Sequence, residues 1–151
     1  PEALLTEFPK IPGTDGRKMS KSYDNAIFIS DAPAEITAKI KPMITDPARK
    51  RRTDPGNPEV CPVYDLHKVF TPQEERESYV VPGCTTAGIG CLDCKEVLLK
   101  HMLPVLTPIS GRRAELARDP DTVLDILEDG TARARKVASE TLGEAKAAMQ
   151  I

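Results

Sequence analysis

The apolar positions of this chain change rhythm near residue 30. Before it they are irregular. Leu4, Leu5, Phe8 and Ile11 are scattered among Pro1, Pro9 and Pro12, and Ala26-Ile27-Phe28-Ile29 is a short apolar run that reads as a strand or an anchor. From residue 33 the spacing is helical. Ile36, Ile40, Met43 and Ile44 follow Ser30-Asp31-Ala32-Pro33, a start signal with a capping side chain and a proline for the first turn. Pro42 kinks or ends that helix, and Thr45-Asp46-Pro47 marks the break. A second helix opens at Asn57-Pro58, with Val60, Val63, Leu66 or His67, and Phe70 on one face. A third starts at Thr71-Pro72-Gln73-Glu74, where an acidic first turn suits the helix dipole, and ends by Pro82-Gly83.

Cys91 opens a long helical stretch held by Leu92, Leu98, Met102 and Leu106, in which Pro104 and Pro108 predict a bend or a local break. Residues 111–118 continue as helix. Asp119-Pro120-Asp121 caps a short helix carrying Val123, Leu124 and Leu127, and Asp129-Gly130-Thr131 starts a last one striped by Ala134, Val137, Leu142, Ala145 and Met149. No internal repeat or low-complexity tract interrupts the pattern. The expected fold is mainly α: a helical bundle over residues 31–151, preceded by an irregular or short-strand segment over residues 1–30.

Composition narrows the class. A chain of 151 residues suffices for one ordinary domain or a domain with a tail, and 40% hydrophobic with 29% charged residues reads as soluble and globular. The net charge of −2 means that any contact with nucleic acid must come from a local patch. No apolar run reaches the length of a membrane span and no signal-peptide pattern opens the chain, which points to the cytoplasm and away from membranes. The first residue is Pro rather than Met, so the chain reads as a piece of a longer product. With aromatics at 4% and no Trp, it is not a stacking platform for single strands.

Three stretches carry candidate chemistry. Lys18-Met19-Ser20-Lys21-Ser22 follows Gly13-Thr14-Asp15-Gly16-Arg17 and precedes Tyr23-Asp24-Asn25. Two lysines three residues apart, with hydroxyls and loop N–H groups beside them, suit a polyphosphate as well as they suit plain solvation. Arg49-Lys50-Arg51-Arg52, with Lys39 and Lys41 upstream and the turn Thr53-Asp54-Pro55-Gly56 after it, is the most basic part of the chain. It is either a solvated charge run or a phosphate-backbone contact. The cysteines Cys61, Cys84, Cys91 and Cys94 are spaced C-x22-C-x6-C-x2-C. In a cytosolic chain that set points to metal or redox chemistry before disulfides. Two thiolates three residues apart can reach one centre, and a set of four completes either a zinc site or an iron–sulfur cluster. One remote cysteine joining three clustered ones suits a cubane cluster slightly better than zinc, but spacing alone leaves the two nearly level.

The run from Gly13 to Ile27 resembles the KMSKS loop of class I aminoacyl-tRNA synthetases, with flanks similar to the tyrosyl and tryptophanyl subgroup. Thr45-Asp46-Pro47, Arg52-Thr53-Asp54-Pro55-Gly56-Asn57-Pro58, Cys61-Pro62-Val63-Tyr64-Asp65-Leu66-His67-Lys68 and Ala87-Gly88-Ile89-Gly90-Cys91-Leu92-Asp93-Cys94-Lys95 resemble, in that order, bacterial members of the tryptophanyl family. The resemblance covers nearly the whole chain.

It implies activation of tryptophan by ATP with Mg²⁺ and transfer to tRNA(Trp). Lys18 and Lys21 would be catalytic, and Met19, Ser20 and Ser22 would join them in binding ATP. It implies a 4Fe–4S cluster (with Zn²⁺ as the alternative) on Cys61, Cys84, Cys91 and Cys94, and tRNA contacts from Arg49, Lys50, Arg51 and Arg52. The helical part would be an anticodon-binding type of domain after the end of a Rossmann-like catalytic domain. The family's HIGH-type motif is missing: His67 sits in Leu-His-Lys and His101 in Lys-His-Met, and both read as packed or surface helix residues. The chain alone is therefore expected to be inactive. Family members are homodimers through their nucleotide-binding domains, so the isolated chain could be a monomer.

Overall fold

The computed structural model describes residues 2–151; Pro1 lies outside the described residues. It divides into two compact units, Pro1–Ser110 and Gly111–Ile151. The first unit contains helices α1 (Pro33–Ile40), α2 (Pro62–Phe70), α3 (Gln73–Glu75) and α4 (Val81–Thr85), and most of α5 (Cys91–Leu116). Short 3-10 turns lie at Lys21–Tyr23 and Pro58–Val60.

The core follows the apolar spacing in part: Leu92, expected on the buried face of α5, is exposed, and Leu99 joins the cluster instead. Ile36 and Ile40 of α1, Val63 and Leu66 of α2, and Leu98, Leu99, Met102 and Leu106 of α5 form one buried cluster with Met43. Ile27 packs against its edge and Ala26 is buried, so the first half of the run Ala26–Ile29 is an anchor, while Phe28 and Ile29 are exposed. The expected short strand does not form: among the described residues the only β pairing is an isolated antiparallel bridge between Pro12 and Lys18. Ile44, assigned to the helical face, is about half exposed because α1 stops at Ile40, before Pro42.

Several element boundaries differ from the sequence pattern, each for a local reason. Asp31 does not cap α1. Its Oδ2 accepts the Phe28 N–H and the Lys39 ammonium, and the helix is entered at Ala32, whose N–H donates to Glu35 Oε2 at 2.8 Å. The second helix breaks at Cys61, whose extended backbone separates the Asn57-capped turn from α2 and leaves Val60 exposed. The third passes through Pro82 and Gly83 to Thr85, because a π-helical turn at Arg76–Val80 joins α3 to α4. The wider turn accommodates a proline that lacks an N–H and crowds the preceding carbonyls.

Helix α5 likewise runs through Pro104 and Pro108 without a break, and both prolines are exposed.

In the second unit, α6 is a single helix, Pro120–Met149, capped by Asp119 Oδ1 accepting the Thr122 N–H at 3.1 Å. Gly130 sits inside it with open space around its Cα, so the expected restart at Asp129-Gly130-Thr131 does not occur. Helix α6 buries none of its residues. In the first unit the buried cluster draws on residues 36–106.

Candidate functional site

The Lys18–Ser22 loop is shaped by one buried side chain. Asn25 is 2% exposed. Its Nδ2 donates to Asp15 Oδ1 at 2.7 Å and to the Lys18 carbonyl at 3.1 Å, and its Oδ1 accepts the Ser20 N–H at 2.8 Å. Its own carbonyl accepts the Thr14 N–H at 2.9 Å. Gly13 leaves room for it, since a Cβ there would lie 2.3 Å from Asn25 Nδ2. Gly16 turns the loop with a φ of +76°, and Asp24 closes it in the left-handed region with a φ of 52°. The hydrogen bond from Asn25 is the main reason the Asp15 carboxyl lies below the usual carboxylate range, and the paired Arg17 adds to it.

On this frame Lys18 and Lys21 are exposed. Neither enters an ion pair among the described residues. Ser20 Oγ and Ser22 Oγ are 2.9 Å apart. Lys18 and Met19 border a cleft of about 600 Å³ with Pro9, Ile11, Arg17 and, from α2, Asp65. A loop that holds two free ammonium groups and two hydroxyls beside an open cleft can grip an anionic ligand and neutralise charge that develops on it.

The four cysteines, dispersed over 34 positions, border one small cavity of about 20 Å³ together with Thr45, Asp46, Arg49 and Val63. All four thiols are free. Cys61 stands at the N-terminus of α2, Cys84 is in α4, and Cys91 and Cys94 lie on the first turn of α5. Burial raises the Cys61 and Cys84 thiols, and burial followed by the neighbouring sulfurs pushes Cys94 up to about 12. Such thiols stay protonated at neutral pH unless a cation displaces the proton. Gly56 makes the approach possible, since a Cβ there would lie 2.6 Å from Cys84 Sγ.

As they stand, no three His, Cys, Asp or Glu side chains among the described residues are placed to hold a metal ion. What fits a thiolate-held group is the donor set and its charge. Four sulfurs share one cavity, and the Nε of Arg49, on the same wall, is buried with no acceptor.

Tertiary structure divides the basic loop. Arg49 is drawn inward, with Nη2 donating to the Ile89 carbonyl at 2.7 Å and the Arg52 carbonyl at 3.0 Å. Arg52 reaches the Ala87 and Gly88 carbonyls at 3.1 and 3.3 Å and lies 3.7 Å from Asp93. Those two cations hold the Cys84–Gly90 loop in place. Lys50 and Arg51 remain exposed beside a groove of about 360 Å³ bordered by Gly90, Cys91, Leu92 and Asp93. Upstream, Lys39 is paired with Asp31 at 2.6 Å.

Two buried side chains beside the cysteines were not singled out by the sequence. His67 is fully enclosed, with Nδ1 2.8 Å from Thr71 Oγ1 and Nε2 3.3 Å from Cys94 Sγ, and burial drives its pKa down to about 4. Lys95 is 5% exposed, and its ammonium donates to the Lys41 carbonyl at 2.7 Å and the Met43 carbonyl at 2.6 Å, which closes the end of α1. Its position directly after the C-x2-C pair was the available signal; His67 offered none beyond its helical face.

Residues 1–106 match the family model described as tRNA synthetases class I (W and Y), and the chain belongs to that family. It is 50% identical over 151 residues to the tryptophan–tRNA ligase of Thermotoga maritima, covering 100% of this chain and 46% of the relative. With the tryptophan–tRNA ligase of Aquifex aeolicus it shares 46% identity, covering 100% of this chain and 38% of the relative. A crystal structure of tryptophanyl-tRNA synthetase from Campylobacter jejuni complexed with ADP and tryptophan superimposes with a TM-score of 0.78 at 27% identity, covering 100% of this chain and 47% of that one. The chain thus spans less than half the length of these relatives. The family match runs unbroken through residue 106, so the expectation of an anticodon-binding type of helical bundle following the end of a catalytic domain is overturned: the packed helices are themselves part of the class I synthetase region. No helix among the described residues is long and apolar enough to cross a membrane.

Proposed function

We propose that this chain acts in the cytoplasm as part of a tryptophan–tRNA ligase, which joins tryptophan to ATP as the adenylate, releases pyrophosphate and passes the aminoacyl group to tRNA(Trp). The observation that carries this reading is the 50% identity with a tryptophan–tRNA ligase over all 151 residues. In this reading Lys18-Met19-Ser20-Lys21-Ser22 is the KMSKS loop. As the tryptophan carboxylate attacks the α-phosphate, negative charge gathers on the departing pyrophosphate. The ammonium groups of Lys18 and Lys21 neutralise it, with Mg²⁺ accompanying the ATP. Ser20 and Ser22 donate hydroxyl hydrogens to phosphate, and Met19 lines the cleft. The exposed Lys18 and Lys21, on a loop fixed from behind by Asn25, support these roles.

The same reading has Cys61, Cys84, Cys91 and Cys94 hold a 4Fe–4S cluster, and Lys50 and Arg51 contact tRNA phosphates. The shared cavity and the unpartnered Arg49 Nε support the first; the exposed cations beside the Gly90–Asp93 groove support the second. With four protein ligands a cluster leaves no open position for substrate, so its contribution is to fix the Cys84–Cys94 segment.

The test is amino-acid-dependent ATP–pyrophosphate exchange and tRNA charging by the enzyme that contains this chain. Tryptophan should support both. Support by tyrosine in its place would overturn the assignment. Anaerobic iron and sulfide analysis with a visible spectrum decides the cluster: equal iron and sulfide are expected, and a colourless zinc protein would count against it.

A further inference from the structure

His67 plays no part in the reading above, yet it touches a candidate ligand. The position belongs to the core: His67 is fully buried on α2, next to buried Leu66 and one turn after buried Val63. An aliphatic residue is the ordinary filler there, and a buried imidazole is costly unless both nitrogens find partners. Both do. Nδ1 lies 2.8 Å from the hydroxyl of Thr71, which is itself only 4% exposed, and Nε2 lies 3.3 Å from Cys94 Sγ. Thr71 follows His67 by four residues, so the hydroxyl sits one helical turn along and holds the ring from the side away from the sulfur.

We propose that His67 is a positioning residue for Cys94: its Nε2–H donates to the Cys94 thiolate when that sulfur ligates the cluster, and the Thr71 hydroxyl fixes the tautomer by donating to Nδ1. This rests on the reading that the four cysteines hold a cluster. The direction of the bond follows from elementary chemistry. A ligating thiolate has lost its proton and can only accept, so the hydrogen between these two atoms must come from Nε2. A neutral ring with its hydrogen on Nε2 presents a bare Nδ1, and a hydroxyl, unlike a backbone carbonyl, can donate to it. Outer hydrogen bonds of this kind orient a ligand and tune the centre it binds.

The experiment compares the wild-type enzyme containing this chain with His67→Phe, His67→Gln and Thr71→Val, all prepared anaerobically. Iron and acid-labile sulfide, the midpoint potential under reductive titration with dithionite, and retention of iron against a chelator are measured. A hydrogen bond to a ligand sulfur favours the reduced cluster, so His67→Phe should move the potential to more negative values and weaken iron retention on the order of 10- to 100-fold. His67→Gln keeps an N–H donor and should recover much of both. Thr71→Val should shift the potential in the same direction as His67→Phe, by less.

A loaded His67→Phe variant with the wild-type potential would overturn the proposal while leaving the cluster reading intact. If His67→Phe does not fold, an unshifted Thr71→Val would do the same. A wild-type enzyme without iron would overturn the cluster reading, and this proposal with it.

Discussion

Asn25 accepts the backbone N–H of Ser20 at 2.8 Å, and this bond fixes the lysine-bearing loop just ahead of its 3-10 turn at Lys21–Tyr23. The same side chain donates to Asp15 and to the Lys18 carbonyl, so it joins both ends of the loop to its middle. Asn25→Ala should leave the Ser20 N–H without its acceptor and cost about 1–3 kcal/mol of local stability. Hydrogen exchange at Ser20 should accelerate, and adenylate formation by the enzyme should fall by up to about 10²-fold through misplaced ammonium groups. Unchanged protection at Ser20 would show that the loop is held some other way.

Lys21→Ala tests the charge itself. It should slow single-turnover adenylate formation by about 10²- to 10³-fold, the scale for losing one preorganised charge-stabilising group, while tryptophan binding changes little. An equal loss in tryptophan affinity would place the residue in ground-state binding instead.

The division of the basic loop predicts two different phenotypes. Lys50→Ala combined with Arg51→Ala should lower the slope of log affinity for tRNA against log salt by roughly 1.4, or about 0.7 for each phosphate contact on unpaired RNA. Iron content should not change. Arg49→Ala instead removes the bonds to the Ile89 and Arg52 carbonyls, so it should loosen the Cys84–Gly90 loop and lower iron content. If both variants act only on the salt slope, the inward placement of Arg49 is wrong.

Gly56→Ala places a methyl group 2.6 Å from Cys84 Sγ, closer than any relaxed contact. Iron per chain should drop while helix content by circular dichroism stays near wild type. A fully loaded variant would mean that Cys84 is not a ligand.

Glu75 ties α3 to α5, with Oε2 2.6 Å from His101 Nε2 and Oε1 3.2 Å from Lys100 Nζ. The bond from His101, followed by Lys100, holds its carboxyl below the usual 4.5. The unfolded chain therefore takes up this proton first as the pH falls, and the stabilisation present above about 4.5 is lost on going lower. Glu75→Gln should flatten the acid limb of a stability–pH curve below that value. A limb of unchanged slope would remove Glu75 from the account of acid unfolding.

Local spacing was enough to place the packed helices. Ile36, Ile40, Val63, Leu66, Leu98, Met102 and Leu106 recur at helical intervals, and burial of one stripe is what stabilises helices of this length. The Lys18–Ser22 loop and the four cysteines were visible for a similar reason: their chemistry depends on residue type and short spacing, both written along the chain. Element ends were less legible. A π turn absorbed Pro82, exposed positions let α5 run through Pro104 and Pro108, and helix continuity overrode Gly130 in α6.

The sequence by itself determined which residues offer candidate chemistry: two lysines on a glycine-bracketed loop, four thiols and a basic run. Only the tertiary structure decided what each of them faces. Cys61 and Cys94 border one cavity, Arg49 turns in to the Ile89 carbonyl 40 residues away, and Lys95 caps carbonyls more than 50 residues upstream. His67 reaches Cys94 from 27 positions away. Such pairings arise when a shared hydrophobic core brings α1, α2 and α5 together. No local pattern records them, because the free energy that selects them is that of burying the stripes, while the polar partners are fixed by where the backbone then lies.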